Sequence, residues 1–180
     1  GNQQWLKFYG AASGDNFYGV IPNPNGGLYA LGFSDGQLGT IGDTSPTGTN
    51  FDATITKILA DGTQEWVHEF GTSGYDNPQN GVIGRDGRIY VAGITRGAFP
   101  GYTSEGDQYD GFVYAIDPDG TDPVVRQFGT AANDGNNGYS IGLTLRPNGT
   151  LVIGTEGNTA PWGAGTPAGS DIFLTAIPKL

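Results

Sequence analysis

The sequence repeats itself three times, and this constrains the fold more than any other feature. Trp5-Leu6-Lys7-Phe8-Tyr9-Gly10 falls on Trp66-Val67-His68-Glu69-Phe70-Gly71 after a shift of 61 positions, and after 58 more on Val124-Val125-Arg126-Gln127-Phe128-Gly129. Five residues beyond each glycine stands an aspartate: Asp15, Asp76 and Asp134. A turn and an apolar run come next, Asn25-Gly26-Gly27-Leu28-Tyr29-Ala30-Leu31-Gly32, matched by Asp86-Gly87-Arg88-Ile89-Tyr90-Val91-Ala92-Gly93 and, one residue shorter, by Asn148-Gly149-Thr150-Leu151-Val152-Ile153-Gly154. Finally Asp52, Asp110 and Asp171 each open another apolar run. Agreement at four separate places per unit is a repeat of about sixty residues.

Each unit reads as four short strands, because runs rich in Val, Ile, Tyr, Phe and Thr are bounded by Gly, Asn, Asp and Pro. In the first copy these runs lie near 3–9, 17–22, 28–34 and 52–59. Asn-Gly or Asp-Gly between the second and third run signals a tight hairpin in every copy. No segment keeps helical periodicity, so the fold class is all-β. A four-stranded antiparallel unit cannot bury both faces alone, and radial stacking of such units gives a β-propeller type of architecture. The expected blades are 1–65, 66–123 and 124–180, in one continuous repeat domain. Closed propellers take four to eight blades. Three blades leave open edges, so self-association is expected, as a ring-completing dimer or a head-to-tail filament, unless other parts of a larger chain complete the array.

The order Trp…Phe-Gly-Thr…Asp, then Asp-Gly-x-x-Tyr-Val-Ala-Gly-x-Thr, Phe-Pro-Gly, Tyr-Asp-Gly-Phe-Val and Asp-Pro-Asp-Gly, running from Trp66 to Gly120, resembles the bacterial β-propeller repeat family often labelled SBBP. The likeness extends over nearly the whole chain, but the first copy lacks the Phe-Pro and the third lacks the leading Trp. The resemblance implies a propeller on secreted or surface-attached bacterial proteins, with no general catalytic activity attached to the repeat. It identifies a scaffold more firmly than a function.

Charge and composition narrow the partners. The chain has 180 residues and a formal charge of −10 with only 8 Lys and Arg, a field that repels phosphate backbones and anionic headgroups. Neither nucleic acid binding nor membrane insertion is expected, since no apolar run approaches the length of a span. Cysteine is absent, which removes disulfides, thiolate metal sites and cysteine nucleophiles. Methionine is absent as well, as expected of a mature secreted form or of a piece of a longer chain. The 33 glycines accord with many tight turns between short strands.

Long connections between the third and fourth runs, near 34–51, 95–109 and 155–170, recur at equivalent positions and so should emerge on one side of the scaffold. They carry Phe99, Tyr102 and Trp162, aromatics suited to stacking on sugars or peptides, although large aromatics are mostly buried and the favoured place for Phe99 and Trp162 is under their own loops as small satellite cores. The aspartate columns Asp15, Asp76, Asp134 and Asp52, Asp110, Asp171 invite calcium, a hard cation that takes carboxylate oxygens. The competing reading is that each accepts backbone N–H bonds in a local turn. His68, the only histidine, shares its column with Lys7 and Arg126, a pattern that fits a repeated contact and not a catalytic base. Glu65, Glu69, Glu105 and Glu156 leave carboxylate-pair glycoside hydrolysis conceivable, but nothing fixes a separation. Asn148-Gly149-Thr150 matches a glycosylation acceptor whose first role is the hairpin. The expected function is therefore structural and non-enzymatic, at the cell surface or outside the cell, with binding of a glycan or protein through the long loops as the alternative and a glycan hydrolase behind both.

Overall fold

The computed structural model describes residues 2–11, 14–39, 41, 50–104, 109–129, 141–157, 171–178 and 180. Their regular structure is entirely β, in eleven strands. The first sheet holds β1 (Asp15–Pro22), β2 (Leu28–Ser34), β3 (Asp52–Ile58) and β4 (Gln64–Phe70) in that order. The second repeats the pattern with β5 (Asp76–Ile83), β6 (Ile89–Thr95), β7 (Asp110–Ile116) and β8 (Val124–Phe128). The third holds β9 (Gly142–Leu145), β10 (Leu151–Gly157) and β11 (Asp171–Ile177). Every neighbouring pair is antiparallel, and none of the three sheets closes on itself.

Sheets and sequence repeats are out of phase. The run that opens the second repeat, Trp66–Phe70, is not the first strand of the second sheet but lies in β4, the last strand of the first, paired Ala53↔Phe70 and Ile55↔His68. Val124–Phe128 likewise completes the second sheet, paired Gly111↔Phe128 and Val113↔Arg126. The matching run in the first repeat, expected as a strand near 3–9, forms no strand. A repeat fixes the period of a structure and leaves open which sheet claims its boundary strand.

Tight hairpins follow one local rule. In the β5–β6 turn, the Gly87 amide donates to Gly84 O (3.0 Å) and the Gly84 amide to Arg88 O (2.8 Å), while Gly87 takes φ of +86°. This is a type I turn followed by a left-handed glycine, and the same bonds recur at Asn23–Gly27 and Arg146–Thr150. Glycine is required because a side chain is strained at that φ.

The sheets stack face to face and enclose two apolar layers. The first lies between sheets one and two and contains Leu31, Ile55, Trp66, Phe70, Phe112 and Tyr114 among others, with the Phe70 and Tyr114 rings stacked at 3.8 Å. The second lies between sheets two and three around Tyr90, Ile94, Val113, Leu151 and Ile153. The middle sheet is buried on both faces, so β6 and β7 are apolar almost without interruption instead of alternating. Each large side chain enclosed this way contributes roughly 1.5–3 kcal/mol relative to exposure. The strands that begin each sheet, β1, β5 and β9, run near one another, which brings the sheet entries to one side.

Candidate functional site

Polar chemistry collects where each long loop meets the last strand of its sheet. In the first sheet, Glu69 on β4 is buried, and its Oε2 accepts the amides of Leu38 and Gly39, both at 2.8 Å. In the second sheet the same repeat position is Gln127 on β8. Its Oε1 accepts the Phe99 amide (2.9 Å), and its Nε2 donates to Gly97 O (2.9 Å) and Asp110 Oδ2 (2.8 Å). A single side chain thus ties the base of each loop to the sheet.

Beside this clasp lies a glycine packed among carboxylates. A Cβ on Gly71 would stand 2.7 Å from both Asp52 Oδ1 and Asp76 Oδ2, so only glycine fits. Gly129 is closed in the same manner by Asp110, and Gly10 by Asp15. The aspartate that follows staples the bend. The Ala11 amide donates to Asp15 Oδ2 at 2.7 Å, and the Thr72 amide donates to Asp76 Oδ2 at 2.7 Å, with Thr72 Oγ1 adding bonds to the same carboxylate. Burial pushes the Asp76 carboxyl up to about 6, partly offset by hydrogen bonds from Thr95 and Thr72.

These placements bear on the calcium candidates. Asp15, Asp76 and Asp110 each spend carboxylate oxygens on hydrogen bonds within the chain. Asp52 is buried at the Gly71 contact. Asp134 and the side chain of Asp171 lie outside the described residues. Among the described residues, no group of three or more His, Asp or Glu side chains is placed to hold a metal ion.

The aromatic loop candidates separate. Phe99 is buried in the first apolar layer, edge-on to Phe112 at 5.4 Å. Tyr102 is 37% exposed and donates its hydroxyl to Val125 O at 3.2 Å. It borders an open groove of about 390 Å³ with Thr103, Asp110, Gln127 and Gly129. Trp162 and Glu105 lie outside the described residues, as does the side chain of Glu156.

His68 is fully buried against Phe70. Its Nδ1 faces Ile41 O at 3.2 Å and its Nε2 faces Tyr114 Oη at 2.7 Å. A carbonyl can only accept, so Nδ1 carries the proton and Nε2 takes the tyrosine hydroxyl. The ring joins the β2–β3 loop to the second sheet and has no access to solvent.

Two edges complete the surface. One side of β11 faces β10, and no described strand pairs with the other. Residues 2–9 also lack a strand partner and lie against the first sheet, with Trp5 Nε1 donating to Ala60 O (2.9 Å) and Tyr9 Oη to Gly62 O (2.7 Å). Between this segment and the sheet lies a cavity of about 130 Å³ bordered by Tyr9, Phe17, Phe33, Thr54 and Val67. The role of Glu69 and Gln127 was not evident from either residue alone. The available signal was a column of side-chain amide or carboxylate one place before the Phe-Gly step, facing a loop. No family model and no curated protein matches the sequence.

Proposed function

We propose that the chain is a propeller-type repeat scaffold of the bacterial cell exterior, related to the SBBP repeats, whose role is structural and is exercised through association at its open sheet edges. The observation that carries this reading is the edge of β11 that no described strand pairs with, in a three-stranded sheet stacked on the second of two four-stranded ones. An open edge presents a row of backbone donors and acceptors that template pairing with another strand. The polar groups inside the fold support a structural role too. Glu69, the best-defined carboxylate of those considered for hydrolysis, is bound by two backbone amides and buried, which leaves it no room to protonate a leaving group. Electron microscopy of the purified 180-residue chain, with sedimentation velocity across concentrations, tests the proposal. Rings or filaments are expected, and a concentration-independent species of 18.7 kDa overturns it.

The groove beside Tyr102 favours a second reading, binding of a glycan or peptide at the loop base. Loss of glycan-array binding on Tyr102→Ala, with the melting temperature unchanged, would support it. Calcium is a structural ligand on either reading only if chelation lowers the melting midpoint. An unchanged midpoint removes it.

A further inference from the structure

The segment preceding β1 holds, on the first sheet, the place that β4 holds on the second. Trp66 packs on Gly120 in the β7–β8 turn, and its repeat equivalent Trp5 packs on Gly62 in the β3–β4 turn. Gly71 abuts Asp76, and the Thr72 amide is stapled to that carboxylate. Gly10 abuts Asp15, and the Ala11 amide is stapled to it over the same distance of 2.7 Å. The chain therefore enters β1 from residues 5–10 as it enters β5 from β4. The difference is that β4 is hydrogen-bonded to β3, whereas residues 5–9 have no described strand beside them.

The opposite deficit is found at β11. Its repeat equivalents β3 and β7 each carry an outer strand, β4 and β8, on the edge where β11 has no partner among the described residues. Leu174 is 78% exposed, while its equivalents Ile55 and Val113 are 0% exposed. On the other end, Phe8 is 92% exposed and Leu6 is also open to solvent, although their β4 equivalents Glu69 and Val67 are buried. One end thus offers a segment that lies on its own sheet in the place of a strand without being paired as one, and the other offers the edge on which such a strand sits.

We propose that residues 5–9 of one copy of this chain add as the fourth, outer strand to β11 of a second copy. This rests on the assembly reading above and names its contact. The register follows from the two internal examples. Ala53↔Phe70, Ile55↔His68 and Lys57↔Trp66, like Gly111↔Phe128, Val113↔Arg126 and Ala115↔Val124, translate to Ile172↔Tyr9, Leu174↔Lys7 and Ala176↔Trp5. The added strand satisfies backbone groups on both partners, as in strand addition to a sheet edge generally. It also stacks the exposed face of one copy's first sheet, where Val20 is open to solvent, over the exposed face of the other's third, where Leu174 is. The contact is heterologous: it closes a ring if the rotation permits and otherwise propagates a filament, with the same strand pair in both.

The absence of cysteine gives a direct test. Chains carrying Lys7→Cys alone and Leu174→Cys alone are mixed and oxidised. A covalent dimer containing one of each is expected, at least tenfold more abundant than when Lys7→Cys is mixed with Thr175→Cys, whose side chain points to the other face of the strand. Equal yields with the two partners, or none with either, overturn the proposal. So does a doubly substituted chain that cross-links within itself as a monomer, since the occupant would then be its own segment. Sedimentation of the unsubstituted chain separates the two levels of failure. Association without the specific cross-link removes the strand addition and leaves edge-mediated assembly standing, whereas a monomer at all concentrations removes both.

Discussion

Glu69 and Gln127 stand at the same repeat position and hold the same stretch of loop, yet one is charged and the other is not. The reason lies in the backbone opposite. The loop of the first sheet presents two successive amides, Leu38 and Gly39, and a carboxylate oxygen accepts both. At the equivalent place in the second sheet the residues are Phe99 and Pro100, and proline has no N–H to give. A second acceptor would have no donor there. The glutamine instead donates its amide group to Gly97 O, which also takes the Thr95 hydroxyl at 3.3 Å, and to the Asp110 carboxylate. The clasp is thus kept in position while its chemistry follows the loop it grips.

Exchanging the two residues should break the comparison in an asymmetric way. Gln127→Glu places a carboxylate against Asp110 in a buried site and leaves Gly97 O with only the longer bond from the Thr95 hydroxyl, 3.3 Å. A loss of about 3 kcal/mol or more in denaturant unfolding is expected. The buried carboxylate at the entry to the second sheet should show in the pH dependence of stability. The folded Asp76 carboxyl titrates at about 6, above an unfolded value of about 3.9, so between those values the folded chain holds a proton that the unfolded chain has released. Its contribution to stability is therefore greatest near pH 4, declines as pH rises to about 6, and is flat above. The wild-type stability minus that of Asp76→Asn should fall by about 2–3 kcal/mol between pH 4 and 7, and a flat difference would contradict the burial of this carboxylate.

Two smaller effects sharpen the account. Adding Pro100→Gly to Gln127→Glu restores the missing amide and should recover about 1 kcal/mol, the net worth of one hydrogen bond. No recovery in the double-mutant cycle would mean that proline does not dictate the glutamine. Glu69→Gln keeps an acceptor for Leu38 and Gly39 but loses charge assistance, for a cost of about 1 kcal/mol or less. A loss as large as that of Gln127→Glu would show that the two clasps are not equivalent.

Much of this architecture was legible before any coordinates. The apolar runs 28–34 and 89–95 became β2 and β6, and the Asn-Gly and Asp-Gly pairs became turns, because those signals are local. The assignment of Trp66–Phe70 to the preceding sheet was not legible. Its residues would read the same beside either neighbour, and only the pairing with Ala53–Lys57 decides. For the site residues, the basic column of Lys7, His68 and Arg126 suggested a repeated surface contact or an ion pair with a neighbouring blade. His68 instead lies buried, because a neutral imidazole can serve Ile41 and Tyr114 where a lysine could not be buried so cheaply. Packing was the favoured reading for Phe99, and its ring is buried in the first apolar layer, where its backbone amide is bonded to Gln127.

The half-step offset between repeat and sheet bears on how such a chain can grow. Since each four-stranded sheet takes its last strand from the repeat that follows, duplicating one whole repeat, wherever the cut falls, adds a four-stranded sheet with its clasp, glycine and aspartate staple in register. Lengthening the array needs no new interface to be invented, and overlapping units guard against insertion of half a sheet.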